Sequence, residues 1–163
     1  MSRLVDIRRK KMAMEKMMIK EITESKKEYL NLLLLADEQE DMIDRYLDRG
    51  RMYVLEDNGV KCECVVTDEG NGILEIKNIA TEPEFQGKGY AKMLISFIAR
   101  EYSGRFEVLQ VGTGDSPLTI PFYEKCGFVR SHIIPEFFTD NYDHPIFEYG
   151  IQLVDMVYLQ KSI

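Results

Sequence analysis

Residues 73–102 impose a strand, a glycine loop and a helix in immediate succession, and this succession constrains the fold more than anything else in the chain. Ile73, Glu75 and Lys77 alternate with Leu74, Ile76 and Asn78 up to Ala80, the two-residue period of a strand. Gln86-Gly87-Lys88-Gly89 follows, and then Ala91, Leu94, Ile95, Ile98, Ala99 and Tyr102 recur at the spacing of one buried helical face. A helix begun this way leaves the N–H groups of its first turn unpaired and aimed at one spot, where the helix dipole adds about half a positive charge. Such a place suits a phosphate. Glycines at 87 and 89 let the backbone approach a ligand with no Cβ in between, and Lys88 and Lys92 add local positive charge.

Two phosphate loops are eliminated by spacing. A dinucleotide fingerprint starting at Gly87 needs Gly or Ala at position 92, which is Lys92. A Walker loop ending in Gly87-Lys88 needs Gly at 82 and Ser or Thr at 89, where Glu82 and Gly89 stand.

Elsewhere the chain alternates short elements. Strands are expected at Met18–Ile22, Met52–Leu55, Val60–Thr67, Phe106–Val111, Phe128–Ile134 and Val154–Leu159, and helices at Lys26–Ala36, Gln39–Leu47 and Leu118–Cys126. Asp57-Asn58-Gly59 is a strong hairpin turn signal. No internal repeat or linker interrupts residues 18–163, and 163 residues is an ordinary size for one domain.

Charge is unevenly distributed. Residues 1–17 carry a basic excess and five of the nine methionines lie in the first eighteen positions, while the whole chain has a net charge of −7. We read residues 1–17 as a basic, Met-rich extension without a catalytic role, attached to an acidic body. An acidic body argues against nucleic-acid binding, which needs a basic patch. The apolar stretch ending at Ala36 falls far short of the 18 or more residues of a membrane span, and the N-terminus lacks the apolar core of a secretory signal. A cytoplasmic protein is expected. Cys62, Cys64 and Cys126 lack the spacing of a redox or zinc motif, and with only His132 and His144 beside them no metal centre is expected. Cys62 and Cys64 share one strand face and are expected to be reduced and buried.

The stretch Gln86-Gly87-Lys88-Gly89-Tyr90-Ala91 resembles motif A of the GCN5-related N-acetyltransferases, the GNAT superfamily, whose pattern is Gln/Arg-x-x-Gly-x-Gly/Ala. Ile79-Ala80-Thr81-Glu82-Pro83 stands where that family ends the preceding strand. Phe122-Tyr123-Glu124-Lys125-Cys126-Gly127-Phe128 resembles its second signature, in the right order and spacing. The chain is similar to small bacterial members of the superfamily. The resemblance implies an α/β fold with an α+β mixed sheet: about seven mostly antiparallel strands, a central parallel pair splayed around acetyl-CoA, and about four helices. It implies acetyl-CoA as donor, with pyrophosphate on the amides of Gln86, Gly87, Lys88, Gly89, Tyr90 and Ala91, and pantetheine beside Ile79, Ala80 and Thr81. Ser116 stands near the place where family members often offer pantetheine a side-chain amide.

The chemistry sets the remaining roles. The acceptor amine must lose a proton, and the departing thiolate of CoA is helped by gaining one. By resemblance Tyr123 is the general acid, and a backbone N–H near Ile79 or Ala80 holds the developing oxyanion. Glu75 is the candidate base, its alternative being a solvent-facing strand residue. Members that acetylate ribosomal-protein N-termini carry Leu-Glu-Val on the next strand, which here reads Leu109-Gln110-Val111. Phe137, Phe138, Asp140 and Asp143 could wall a site for a cationic amine, or form a surface loop anchored by the two rings; His144 is read as a loop residue. The expected reaction is acetyl transfer to a primary amine, a small molecule in the first instance, by direct attack in a ternary complex. The alternatives are a protein N-terminal or lysine acetyltransferase and a non-catalytic acyl-CoA-binding sensor. Dimers are common in the family, so a homodimer is possible.

Overall fold

The computed structural model describes residues 17–163; the proposed extension lies outside the described residues except for Met17, the first residue of the first strand. Seven strands form one sheet: β1 (Met17–Ile22), β2 (Arg51–Asp57), β3 (Val60–Asp68), β4 (Ile73–Thr81), β5 (Val108–Gly114), β6 (Val129–Ile134) and, after the small hairpin of β7 (Phe147–Glu148) and β8 (Ile151–Gln152), β9 (Met156–Ser162). Their spatial order is β1-β2-β3-β4-β5-β9-β6. All pairings are antiparallel except β4 with β5. The β2–β3 hairpin turns at Asn58 and Gly59, both at positive φ (54° and 99°), the backbone of a type I′ turn and the reason for an Asn-Gly pair there.

Five helices flank the sheet: α1 (Leu30–Ala36), α2 (Glu40–Asp44), α3 (Tyr90–Glu101), α4 (Thr119–Lys125) and α5 (Phe137–Asn141). The expectation of about four missed α5, a five-residue helix in a segment read as an acceptor wall or a surface loop. The helix expected from Lys26 starts as a 3-10 turn, Lys26–Tyr29, before α1. Leu94, Ile95 and Ile98 of α3 are fully buried against Leu55, Cys62, Cys64, Leu74, Ile76 and Leu109 on one face of the sheet. Burying each such side chain is worth roughly 1.5–3 kcal/mol. On the other face Leu33 of α1 and Ile43 of α2 pack against Met52, Val54 and Val65. The three cysteines are free and buried, and Cys62 and Cys64 share one sheet face as expected, the one covered by α3.

One irregularity in β4 shapes the site. Val66 pairs with Ile76 and Val65 with Asn78, so Lys77 has no partner on β3 and forms a bulge. A bulge bends its strand and shifts the alternation of side chains. Before it Leu74 and Ile76 join the core under α3; after it Ile79 packs there, and Asn78 turns to the opposite face.

Candidate functional site: the gap between β4 and β5

The parallel pair runs only from Ile73–Val108 to Ile76–Val111. Beyond it β4 continues to Thr81 against β3 alone, while β5 continues to Gly114 against β9 alone. The strands therefore splay, and the backbone groups of residues 77–81 that β3 does not use face the gap. At the open end stands the glycine loop. Gln86 Nε2 donates to Thr81 O over 3.2 Å, tying loop to strand. Gly87 and Gly89 have φ of 78° and 86°, and a Cβ added at either would meet no atom within 4 Å. Open space thus lies in front of both glycines. The first helical bond of α3 here is Met93 N–H to Gly89 O, 3.0 Å, so the N–H groups of Tyr90, Ala91 and Lys92 have no acceptor within the helix. An extended strand with one free edge, leading to a helix N-terminus, fits pantetheine followed by pyrophosphate.

The gap opens into a cavity of about 500 Å³ lined by Glu75, Lys77, Tyr123 and Tyr158 among others. Tyr123, on α4, is 7% exposed and is held edge-on by Phe122 and Phe128, with ring centroids 5.2 and 5.7 Å away. Burial pushes its hydroxyl well above the usual tyrosine range, with further increments from Cys64, Cys126 and Glu148. The group therefore keeps its proton at neutral pH, as a proton donor must. Glu75 is 4% exposed rather than solvent-facing. Its Oε1 accepts from Gln110 Nε2 over 2.5 Å and its Oε2 pairs with Lys77. Lys77 also reaches Glu69 at 2.8 Å. These two carboxylates outweigh the burial that would discharge the lysine, and its pKa is raised.

Residues 48–130 match the family model for the acetyltransferase (GNAT) domain. Over 158 residues the chain is 38% identical to the uncharacterized N-acetyltransferase YvbK of Bacillus subtilis (strain 168), covering 93% of this chain and all of that protein. The chain belongs to the GNAT family. A GNAT family acetyltransferase from Elizabethkingia anophelis with acetyl-CoA bound superposes with a TM-score of 0.86 at 32% identity, covering 91% of this chain and 99% of that one. A Bacillus subtilis acetyltransferase in complex with CoA gives 0.82 at 35%, with the same coverage. Its relatives and its fold make this chain a GNAT acetyltransferase.

The other side chains singled out from the sequence of this GNAT protein divide clearly. Ser116 is 2% exposed; its Oγ accepts from Leu118 N–H over 3.2 Å, fixing the turn into α4. Phe137 and Phe138 line the cavity, but Asp140 and Asp143 do not. Asp143 is exposed and bonds His144, which also pairs with Glu38 at 3.5 Å. The carboxylates that do reach the cavity, besides Glu75, include Asp37 at the end of α1 and Glu148 on β7. Asp37 accepts from Tyr46 Oη at 3.1 Å and Tyr142 Oη at 2.7 Å. Burial raises its carboxyl, against the lowering effect of the two hydroxyls. Asn78, turned by the bulge, donates to Tyr46 Oη and to Leu33 O, each at 3.0 Å, and so ties this wall to β4. Among the described residues no group of three or more His, Cys, Asp or Glu is arranged to hold a metal, and no helix is long and apolar enough to cross a membrane.

Proposed function

We propose that this protein transfers the acetyl group of acetyl-CoA to the primary amine of a small molecule by direct attack in a ternary complex, in the cytoplasm where that donor is made and used. The observation that carries the reading is the edge of β4 beyond Ile76 that β5 leaves free, running from a cavity of about 500 Å³ to the glycine loop. Bound there, acetyl-CoA would supply a thioester carbonyl carbon open to a nucleophile.

The chain's residues divide the work. Amides of Gln86, Gly87, Lys88, Gly89, Tyr90 and Ala91 hold the pyrophosphate, with the positive end of α3 behind them. Backbone of Ile79, Ala80 and Thr81 pairs with pantetheine as an added strand would, with Ser116 as a further side-chain donor. An N–H at Ile79 or Ala80 stabilises the oxygen on which charge develops. Glu75 takes a proton from the acceptor ammonium, directly or through water; Gln110 and Lys77 hold it in place. As the new N–C bond forms and the C–S bond breaks, Tyr123 gives its proton to the sulfur. A cavity of about 500 Å³ suits a small amine better than a peptide, which needs an open groove.

The test is thiol release from acetyl-CoA on addition of primary amines. Amine-dependent release supports the enzyme; donor binding with no release for any amine, and no effect of Tyr123→Phe, supports an acyl-CoA sensor instead.

A further inference from the structure

Resting on that reading, we propose that Glu148 is the docking carboxylate for the acceptor, and that the acceptor is an alkylamine that enters as its ammonium cation. Glu148 lies on β7, where Phe147 points out and is 56% exposed while Glu148 turns inward and lines the cavity. Its Oε2 is fully buried and has no hydrogen-bond partner among the described residues. A buried carboxylate oxygen left without a donor is costly, and native proteins rarely keep one unless something else fills the position.

The other carboxylates of the cavity are already engaged. Glu75 is shared by Gln110 and Lys77, Asp37 by two tyrosine hydroxyls, and Glu38 pairs with His144. The cations of the lining are committed too: Lys77 to Glu75 and Glu69, Arg49 to Glu69, and Arg45 to Asn141 at the exposed rim. Glu148 is therefore the carboxylate with room for an incoming N–H donor. Its position fits that role, because Glu148 and Tyr123 line the same cavity. An ammonium held by Glu148 shares the cavity with the proposed proton donor, with Phe138 and Tyr142 supplying an aromatic wall suited to a cation or its alkyl chain.

The experiment compares wild type, Glu148→Gln and Glu148→Asp, each first titrated with acetyl-CoA by calorimetry. Rates are then measured at pH 7.5 with 1,4-diaminobutane and 2-phenylethylamine, which are cationic, and with 4-methoxyaniline, which is not. Wild type is expected to acetylate a cationic amine. Glu148→Gln should raise the KM for that amine about tenfold or more, the scale of one charge-assisted hydrogen bond, with kcat and donor affinity little changed. The KM for the neutral amine should stay near wild type, and Glu148→Asp should retain the preference for cations. The inference is overturned if the wild type binds acetyl-CoA yet acetylates neither cationic amine. It is also overturned if Glu148→Gln changes cationic and neutral amines alike. Failure of the wild type to bind acetyl-CoA would instead remove the donor site beneath it.

Discussion

Gln110 Nε2 lies 2.5 Å from Glu75 Oε1, across the one parallel pairing of the main sheet, where the two residues are direct register partners. Gln160 Nε2 donates to Gln110 Oε1 over 2.8 Å. That bond fixes the amide's orientation, so its N–H groups, not its oxygen, face Glu75. Replacing Gln110 by Glu would set two carboxylates side by side, and such a pair releases its second proton at higher pH. If Glu75 is the base, the acidic limb of the kcat/KM profile should move upward by about 1 pH unit or more in Gln110→Glu. An unmoved limb would remove Glu75 from the base role.

Tyr123→Phe removes the hydroxyl and keeps the ring that packs on Phe122 and Phe128. Stability should change little, and kcat should fall about 100-fold or more, the usual contribution of a placed proton donor. Stopped-flow thiol detection checks this; a kcat within threefold of wild type would mean that the ring matters and the hydroxyl does not.

The strand, glycine loop and helix were legible because each is written locally, by alternation, by paired glycines and by a helical stripe. The Asp57–Gly59 hairpin was legible for the same reason. The β4 bulge was not, because Ile73, Glu75 and Lys77 keep alternating through it; only pairing with β3 shows that Lys77 has no partner. Nor was the β7–β8 hairpin, whose strands have two residues each and so no period to read. Tyr123 and Glu75 could be singled out from the sequence, whereas Asp37, Lys77 and Glu148 carry no local signal and meet only when the chain folds. Asp140 and Asp143 stand among aromatics in the sequence, yet neither Asp140, on α5, nor Asp143, just after it, lines the cavity that Phe137 and Phe138 reach.

Gly89 and Gly104 form a controlled pair for the donor site. Both have positive φ (86° and 83°), and a Cβ at either would meet no atom within 4 Å. Alanine at each should cost a similar amount, about 1–2 kcal/mol from the left-handed backbone. Gly89→Ala, in the loop before α3, should also weaken acetyl-CoA binding about tenfold or more, since its methyl occupies the ligand's side. Gly104→Ala should leave affinity unchanged. Equal affinities in the two variants would argue against the loop as the pyrophosphate cradle.

Glu63, on β3, is fully buried, and neither carboxylate oxygen has a hydrogen-bond partner among the described residues. Burial pushes its carboxyl well above the ordinary value of 4.5. The folded state thus holds a proton that the unfolded chain gives up. Stability from this group is complete below pH 4.5 and declines as pH rises toward the raised folded value, by at most about 1.4 kcal/mol per pH unit. Glu63→Gln cannot titrate, so thermal melts from pH 5 to 9 should show the variant gaining on wild type as pH increases. Parallel curves would mean that Glu63 does not differ between folded and unfolded states.

The most direct measurement is calorimetric titration of the intact protein with acetyl-CoA, alongside CoA lacking the acetyl group. Acetyl-CoA should bind saturably at one site per chain, with a dissociation constant on the order of micromolar, and this binding should be lost in Gly89→Glu. No heat of binding from folded protein would contradict it, leaving the glycine loop and the splayed strands without their ligand.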